Sequence, residues 1–379
     1  MSSLLLAEHK GYLADAVRLA AFERALSHVV SPGDAVLDLG SGTGVLGLLA
    51  LRAGARHVYA VDATGMAGVA RQVLRANGAA DRTTVLRAHS RAVELPERVD
   101  VVVADQLGPF GLEAGAYEAA ADARARHLRP GGTLVPGRID QVVAVVELPD
   151  AWAEVAFWGD APSGLDLTAL SPLARNVRYF TIAGPGDLLG PAATIASSDP
   201  GDPAALPIRG TVTLTVERPG TLHGLAAWFE AHLAPGTSIS NGPVTGRLAR
   251  RHVFLPVDVP VPVVPGHRVE VVLHADHRSD LHRWAITVRG DADEVIARSV
   301  HSSLDGIPLT REDLARRSPD LRPMITPSGA ARATVLSLCD GQRTRGEIEA
   351  SVRERHRDLF PDDAAVARFV DRVLASDTA

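Results

Sequence analysis

The run Val36-Leu37-Asp38-Leu39-Gly40-Ser41-Gly42-Thr43-Gly44 sets apolar residues around an acid and then alternates glycines with small residues. Its first part predicts a buried strand. Its second part predicts a turn where backbone comes close to a ligand, because no Cβ stands in the way. Val45 to Ala53 reads as the helix that follows. Strand, glycine turn and helix make the first unit of a nucleotide-type αβ fold.

Around this unit the same alternation continues. Leu13, Val17, Leu19, Phe22 and Leu26 predict helix within 11–29. His57 to Asp62, Thr83 to Ala88 and Val99 to Ala104 read as strands, and Gly65 to Asn77 as a helix closed by Asn77-Gly78. Pro130-Gly131-Gly132 predicts a tight turn before a strand at Thr133 to Val135. Such alternation predicts a doubly wound, mostly parallel sheet. After Pro136 the pattern changes to short alternating strands, such as Gln141 to Glu147, Gly210 to Glu217 and Arg268 to Leu273. These predict an antiparallel barrel or sandwich, with a long surface loop over 184–207. The expected fold class is α/β plus β. It comprises a doubly wound Rossmann-like domain over 1–136, a β-barrel or sandwich domain over 137–305, a linker over 306–328 and a small helical module over 329–379.

Bulk properties narrow the function. A chain of 379 residues, 46% hydrophobic and 22% charged, is a folded protein of two or three domains. A net charge of −6 argues against a general nucleic-acid binder. A single cysteine, Cys339, leaves no internal disulfide and suits a cytoplasmic location. Leu4-Leu5-Leu6-Ala7 is too short for a signal-peptide core, and no apolar run approaches a membrane span. Lys10 is the only lysine, a bias typical of a GC-rich bacterial genome.

Two ligands compete for the glycine turn. Dinucleotide sites use G-x-G-x-x-G, with pyrophosphate at the helix N-terminus. Here the spacing is G-x-G-x-G, with Asp38 just ahead. S-adenosylmethionine (SAM) has an amino-acid end, a sulfonium and a ribose. Asp38 suits its ammonium group and Asp62 its ribose hydroxyls, although an acid like Asp62 serves both ligand classes.

The neighbouring segments resemble the protein arginine methyltransferase family. They are His9-Lys10-Gly11-Tyr12-Leu13-Ala14-Asp15-Ala16-Val17-Arg18, Val36 to Gly44, Ala53-Gly54-Ala55-Arg56-His57-Val58, Glu94-Leu95-Pro96 and Leu128 to Pro136. The β-rich part is similar in outline, including Trp228-Phe229 and Val253-Phe254-Leu255-Pro256. The resemblance implies SAM-dependent methyl transfer. It implies that Arg18 pairs with the SAM carboxylate and that Gly40, Gly42 and Gly44 line the methionine side. It also places Asp62 at the ribose and His89 and Ser90 at adenine. His9, Ser41, Ala63 and Met66 complete the implied donor pocket. Arg91 departs from the family, which carries an acid facing the adenine amino group there.

The acceptor loop departs further. The family holds its acceptor guanidinium between two glutamates; this loop reads Ala104-Asp105-Gln106-Leu107-Gly108-Pro109-Phe110-Gly111-Leu112-Glu113. Asp105 is one methylene shorter, Gln106 replaces a tryptophan, and one residue is missing before Glu113. The family's Thr-His-Trp segment is replaced by Arg247-Leu248-Ala249-Arg250-Arg251-His252. Asp105 and Glu113 still suit another cationic acceptor, such as an amine, whose proton a carboxylate can accept or relay. Tyr12 and Asp15 are expected to assist from the N-terminal helix. His274, Asp276, His277, Asp280 and His282 are too irregularly spaced to predict a metal site.

Leu336-Ser337-Leu338-Cys339-Asp340-Gly341-Gln342-Arg343-Thr344-Arg345-Gly346-Glu347-Ile348 resembles the small winged-helix-like (PqqD-like) peptide-binding proteins of pyrroloquinoline quinone biosynthesis. Val352, Phe360, Val366, Phe369, Val370 and Leu374 continue at core spacing, and Cys339 is expected as a small core residue. This resemblance implies recognition of a leader peptide by strand addition. The expected activity is SAM-dependent N-methylation of an amine in a peptide or peptide-derived natural product. The expected partners are a peptide or small-molecule amine and a precursor leader peptide, with a homodimer allowed and neither nucleic acid nor membrane. The alternatives are arginine methylation by a rebuilt loop, O- or C-methylation of a small metabolite, and a catalytically silent binding partner.

Overall fold

The computed structural model describes residues 3–112, 115–159, 164–243, 248, 250–276, 281–316 and 318–377. It divides into two units, Met1–Pro308 and Leu309–Ala379. In the first, β1 (Ala35–Leu39) is buried at every residue. A strand buried on both faces belongs at the centre of a parallel sheet. It pairs with β2 (His57–Val61) and β4 (Val99–Ala104), outside which lie β3 (Thr83–Leu86) and β5 (Leu128–Val135), giving the order β3-β2-β1-β4-β5. The helices are α1 (Ser3–Ala14), α2 (Ala16–Val29), α3 (Val45–Ala53), α4 (Met66–Ala76) and α5 (Ala116–Arg126).

Two local expectations are corrected here. The helical pattern over 11–29 is broken at Asp15, whose side chain caps α2 by accepting from the Arg18 N–H at 3.0 Å. Pro130-Gly131-Gly132 does not separate a turn from a strand. It is a bulge inside β5, across which the pairing jumps from Val99–Leu128 to Val101–Thr133. Gly132 is needed there because a Cβ would lie 2.8 Å from the Asp100 carbonyl.

Asp38 is a fold residue. It is 1% exposed, and its Oδ2 accepts from the Gly47 N–H at 2.9 Å, fastening α3 to β1. Its Oδ1 has no partner. Burial pushes its carboxyl up to about 7, against the lowering effects of the Gly47 hydrogen bond and of Arg18.

After β5 the chain enters two antiparallel sheets. The strands are β6 (Arg138–Val146), β7 (Tyr179–Thr181), β8 (Ala193–Ser198), β9 (Ile208–Thr215), β10 (Gly220–Ala234), β11 (Thr237–Ser240), β12 (His252–Val263), β13 (Arg268–Asp276), β14 (Leu281–Arg289) and β15 (Val295–Ser302). One sheet orders β7-β12-β10-β6-β8, with β11 on β10; the other orders β15-β14-β13-β9. No ladder joins them among the described residues, so this is a sandwich and not a closed barrel. The Trp284 indole spans the layers, donating to the Pro256 carbonyl at 2.9 Å. α6 (Pro149–Ala156) packs Ala151 and Val155 into the first sheet, and α7 (Ser171–Arg175) follows it. The segment 184–207 is not all loop. It contains the edge strand β8, paired with β6, whose small side chains hide its alternation.

Asn241 joins the sandwich to the loop after β4. It is fully buried, accepts from the Phe229 N–H at 3.1 Å and donates to the Pro109 and Arg251 carbonyls, each at 2.9 Å. Gly111 (φ 76°) packs so closely that a Cβ would lie 2.9 Å from Phe229.

The second unit contains α8 (Arg311–Arg316), α9 (Pro327–Ser337), α10 (Arg345–Arg355) and α11 (Asp363–Asp377). Val335, Leu338, Ile348, Val352, Val366, Val370 and Val373 form its core. Thr344 and Glu347 form a capping box on α10. Cys339 is exposed, contrary to expectation, because Leu338 takes the inward position. No strand occurs among its described residues, so no sheet edge is available for strand addition. Among all the described residues, no helix is long and apolar enough to cross a membrane.

Two stability predictions follow from buried polar groups. Asn241→Ala removes the partner of three backbone groups, of which the Phe229 N–H is buried, and should cost about 1–3 kcal/mol, read as a lower urea midpoint; an unchanged midpoint would show that the bonds do not matter. Asp38 has a carboxyl raised from 3.8 to about 7. The folded state therefore holds a proton that the unfolded state has lost between those values. The associated stability is fully present at acid pH and disappears as pH rises through about 7. Asp38→Asn should gain stability relative to wild type as pH rises from 5 to 8; a constant difference across that range would refute the shift.

Candidate functional site

Two adjoining cavities open beyond the carboxyl ends of the parallel strands, where open αβ sheets bind ligands. One, of about 420 Å³, is lined by Gly40, Asp62, Ala63, His89, Ser90, Arg91 and Glu118. The other, of about 410 Å³, is lined by His9, Tyr12, Arg18, Ser41, Gly42, Asp105 and Gln106. Gly40 and Gln106 border both. The Gln106 side chain lies over Gly40 so closely that a Cβ there would be 2.1 Å from Nε2, and the His9 ring lies over Gly42 in the same way at 2.5 Å. Both glycines have positive φ, 71° and 53°.

In the second cavity Asp105 sits between two guanidiniums. Arg18 Nε donates to Asp105 Oδ2, and Arg250 Nη2 donates to both carboxylate oxygens at 3.3 and 3.2 Å. The side chains of Arg18 and Asp105 are 7% and 4% exposed. Arg250 also donates to the Leu107 carbonyl at 2.6 Å. The Tyr12 ring lies beneath both arginines, 5.7 Å from the Arg18 guanidinium carbon and 5.4 Å from that of Arg250. With one carboxylate for two guanidiniums, the trio carries an excess positive charge and suits an incoming carboxylate.

In the first cavity Asp62 is pre-set by its own turn. Its Oδ2 accepts from the Gly42 N–H at 3.0 Å, and its Oδ1 accepts from the Thr64 N–H and hydroxyl at 2.8 and 2.6 Å. Asp62 thereby orients the glycine turn. Oδ1 thereby uses both of its acceptor sites, and Oδ2 retains one.

The expected residues are only partly brought together. His9, Tyr12, Arg18, Gly40, Ser41, Gly42, Asp62, Ala63, His89, Ser90 and Asp105 line the two cavities. Four do not. Asp38 is buried beneath the turn, Asp15 caps α2, Gly44 (φ 78°) packs against Leu74 and Ala70, and Met66 is 0% exposed in the core. Each was expected at the ligand because its motif lies there; each instead holds an element in place. Glu113 lies outside the described residues. Among the described residues no cluster fit to hold a metal occurs; His277 and Asp280 of the irregular histidine stretch lie outside them. Sequence reasoning missed Glu118, Arg250 and Asn241. Arg250 and Asn241 come from the distant segment between β11 and β12, and Glu118 carries no motif signal.

The cavities fit SAM by their chemistry. Arg18 can take its carboxylate and Asp62 Oδ2 a ribose hydroxyl. Ser41 Oγ and Glu118 Oε2 are buried polar atoms with no partner among the described residues. Above Gly40 and Gly42 the space of a side chain is taken by Gln106 and His9, which border the cavity.

Comparison with known proteins agrees. The family model of ribosomal protein L11 methyltransferases matches residues 21–135. The chain is 29% identical over 244 residues to protein arginine N-methyltransferase 6 of Xenopus tropicalis, covering 61% of this chain and 72% of that one. It is 32% identical over 250 residues to probable protein arginine N-methyltransferase 6.2 of Oryza sativa, 63% of this chain but 61% of the rice protein's length. Among solved structures, protein arginine methyltransferase 10 of Arabidopsis thaliana superposes with a TM-score of 0.68 at 21% identity, over 79% of this chain and 98% of the other. The Trypanosoma brucei arginine methyltransferase 1 enzyme–prozyme complex with S-adenosylhomocysteine gives 0.70 at 20% identity, over 78% and 97%. The chain is a SAM-dependent methyltransferase with the two-part fold of the protein arginine methyltransferases.

Proposed function

We propose that the chain transfers a methyl group to an amine nitrogen of a peptide or peptide-derived product, with Asp105 orienting the acceptor. The observation that carries this reading is the state of Asp105. It lines the methionine-end cavity, yet Arg250 draws on both of its oxygens. A planar guanidinium needs two free carboxylate oxygens in a fork. An ammonium is a point charge and needs only one. The shorter aspartate, shared with Arg250, supports the amine.

SAM supplies an electrophilic methyl on its sulfonium. The chain's residues do the rest. Arg18 exchanges Asp105 for the donor's carboxylate, which relieves Oδ2 of one of its two donors and leaves Arg250 on it. Asp105 then holds the acceptor ammonium, accepts or relays its proton, and leaves the nitrogen lone pair facing the methyl. Most of the remaining rate comes from this placement. Glu113 is proposed as a second acid on the same loop. Tyr12, under both guanidiniums, keeps the trio in register.

Residues 309–379 are proposed to recruit the peptide, on the resemblance of 336–348. A groove of about 490 Å³ lined by Arg353, Arg357, Phe360 and Val366 is the surface in this unit we assign to that task. A second reading, arginine methylation, is favoured by the similarity to the Xenopus and rice proteins.

Labelled SAM offered with a peptide whose only basic group is an amine should give product, whereas a peptide whose only basic group is arginine should not. Methylated arginine would establish the second reading. Asp105→Asn should lower turnover by roughly 100-fold or more while S-adenosylhomocysteine binds as tightly or more tightly, since Arg18 is released. Arg18→Ala should weaken that binding by about tenfold or more, the worth of one charge-assisted hydrogen bond. Equal loss of binding in both variants would count against an acceptor role for Asp105. Removal of residues 325–379 should raise KM for the peptide substrate and leave that for SAM unchanged; an unchanged peptide KM would exclude recruitment.

A further inference from the structure

The cavity of Asp62 holds a carboxylate with one oxygen that has no partner among the described residues. Glu118, in the first turn of α5, lines it, and its Oε2 is buried without a hydrogen-bond partner. A buried oxygen left without a donor is costly, and native proteins rarely keep one without a use. Its position is fixed from its own helix. Glu118, Asp122 and Arg126 are four apart and share a face of α5. Arg126 pairs with Asp122 at 2.6 Å and reaches across to the Ser90 and Val93 carbonyls at 3.1 and 2.7 Å. That latch holds α5 against residues 89–93, so Glu118 and Arg91 meet at one cavity.

The chemistry of the pair selects a ligand edge. An ionised glutamate only accepts, and an arginine only donates. Together they match an edge that presents a donor beside an acceptor. Adenine has such an edge, an exocyclic amino group next to a ring nitrogen. A 6-oxo purine has an oxygen in place of the amino group and would set it against the carboxylate.

We propose that Glu118 accepts a hydrogen bond from the adenine amino group of the methyl donor and, with Arg91, makes the site selective for amino over oxo purines. This rests on the assignment of SAM as donor. The test is calorimetric titration of the full chain with S-adenosylhomocysteine and with S-inosylhomocysteine, its deaminated counterpart. The wild type should prefer the adenosyl ligand by roughly tenfold or more, as sites built around a polar group reject analogues lacking its partner. Glu118→Gln should bring the preference toward one, because the amide can turn its NH₂ to the oxo group. Glu118→Ala should weaken the adenosyl ligand and leave the inosyl ligand unchanged or tighter. A wild-type protein without preference, or variants that keep it, would overturn the inference while leaving the donor assignment intact. A wild-type protein that binds neither ligand would overturn both.

Discussion

The site depends on one carboxylate held between two guanidiniums. Asp105 extends from the end of β4, Arg18 from α2, and Arg250 from the segment entering β12. A lone buried carboxylate costs several kcal/mol, so these elements converge only if the ion trio forms with them. Burial also makes the trio's charge felt. Two cations against one anion leave a positive surplus in a cavity whose walls are buried. A ligand carboxylate reaching Arg18 brings the count to two and two.

The rest of the site is shaped by what the backbone can do at the end of β1. Gly40 and Gly42 take left-handed conformations and leave the space of two side chains above the turn. Gln106 and His9 lean into that space from the acceptor loop and from α1. The floor of the cavity therefore touches both the loop after β4 and α1. Asp62 completes the arrangement by fixing the Gly42 N–H from β2's end.

Much of the donor half was legible in the sequence. Apolar runs mark the parallel strands, and glycines at alternate positions mark the turn. The errors have physical causes. Asp38 and Met66 carry motif positions but point inward, and a linear pattern does not tell a strand's two faces apart when both are buried. Asp15 interrupts a good helical pattern because a carboxylate can cap the helix after it. The 184–207 segment looked like loop because Ala and Ser give β8 little alternation. Arg250 and Glu118 were not legible because their roles exist only through distant partners. One faces Asp105 across 145 positions of sequence, and the other faces a cavity rather than another residue.

The acceptor half follows the sandwich more than the Rossmann-like sheet. Asn241 holds the Pro109 carbonyl, Gly111 packs against Phe229, and Arg250 holds the Leu107 carbonyl, so the loop after β4 is fastened along its length by sandwich residues. A loop bound in this way cannot lengthen or shorten without its partners moving too.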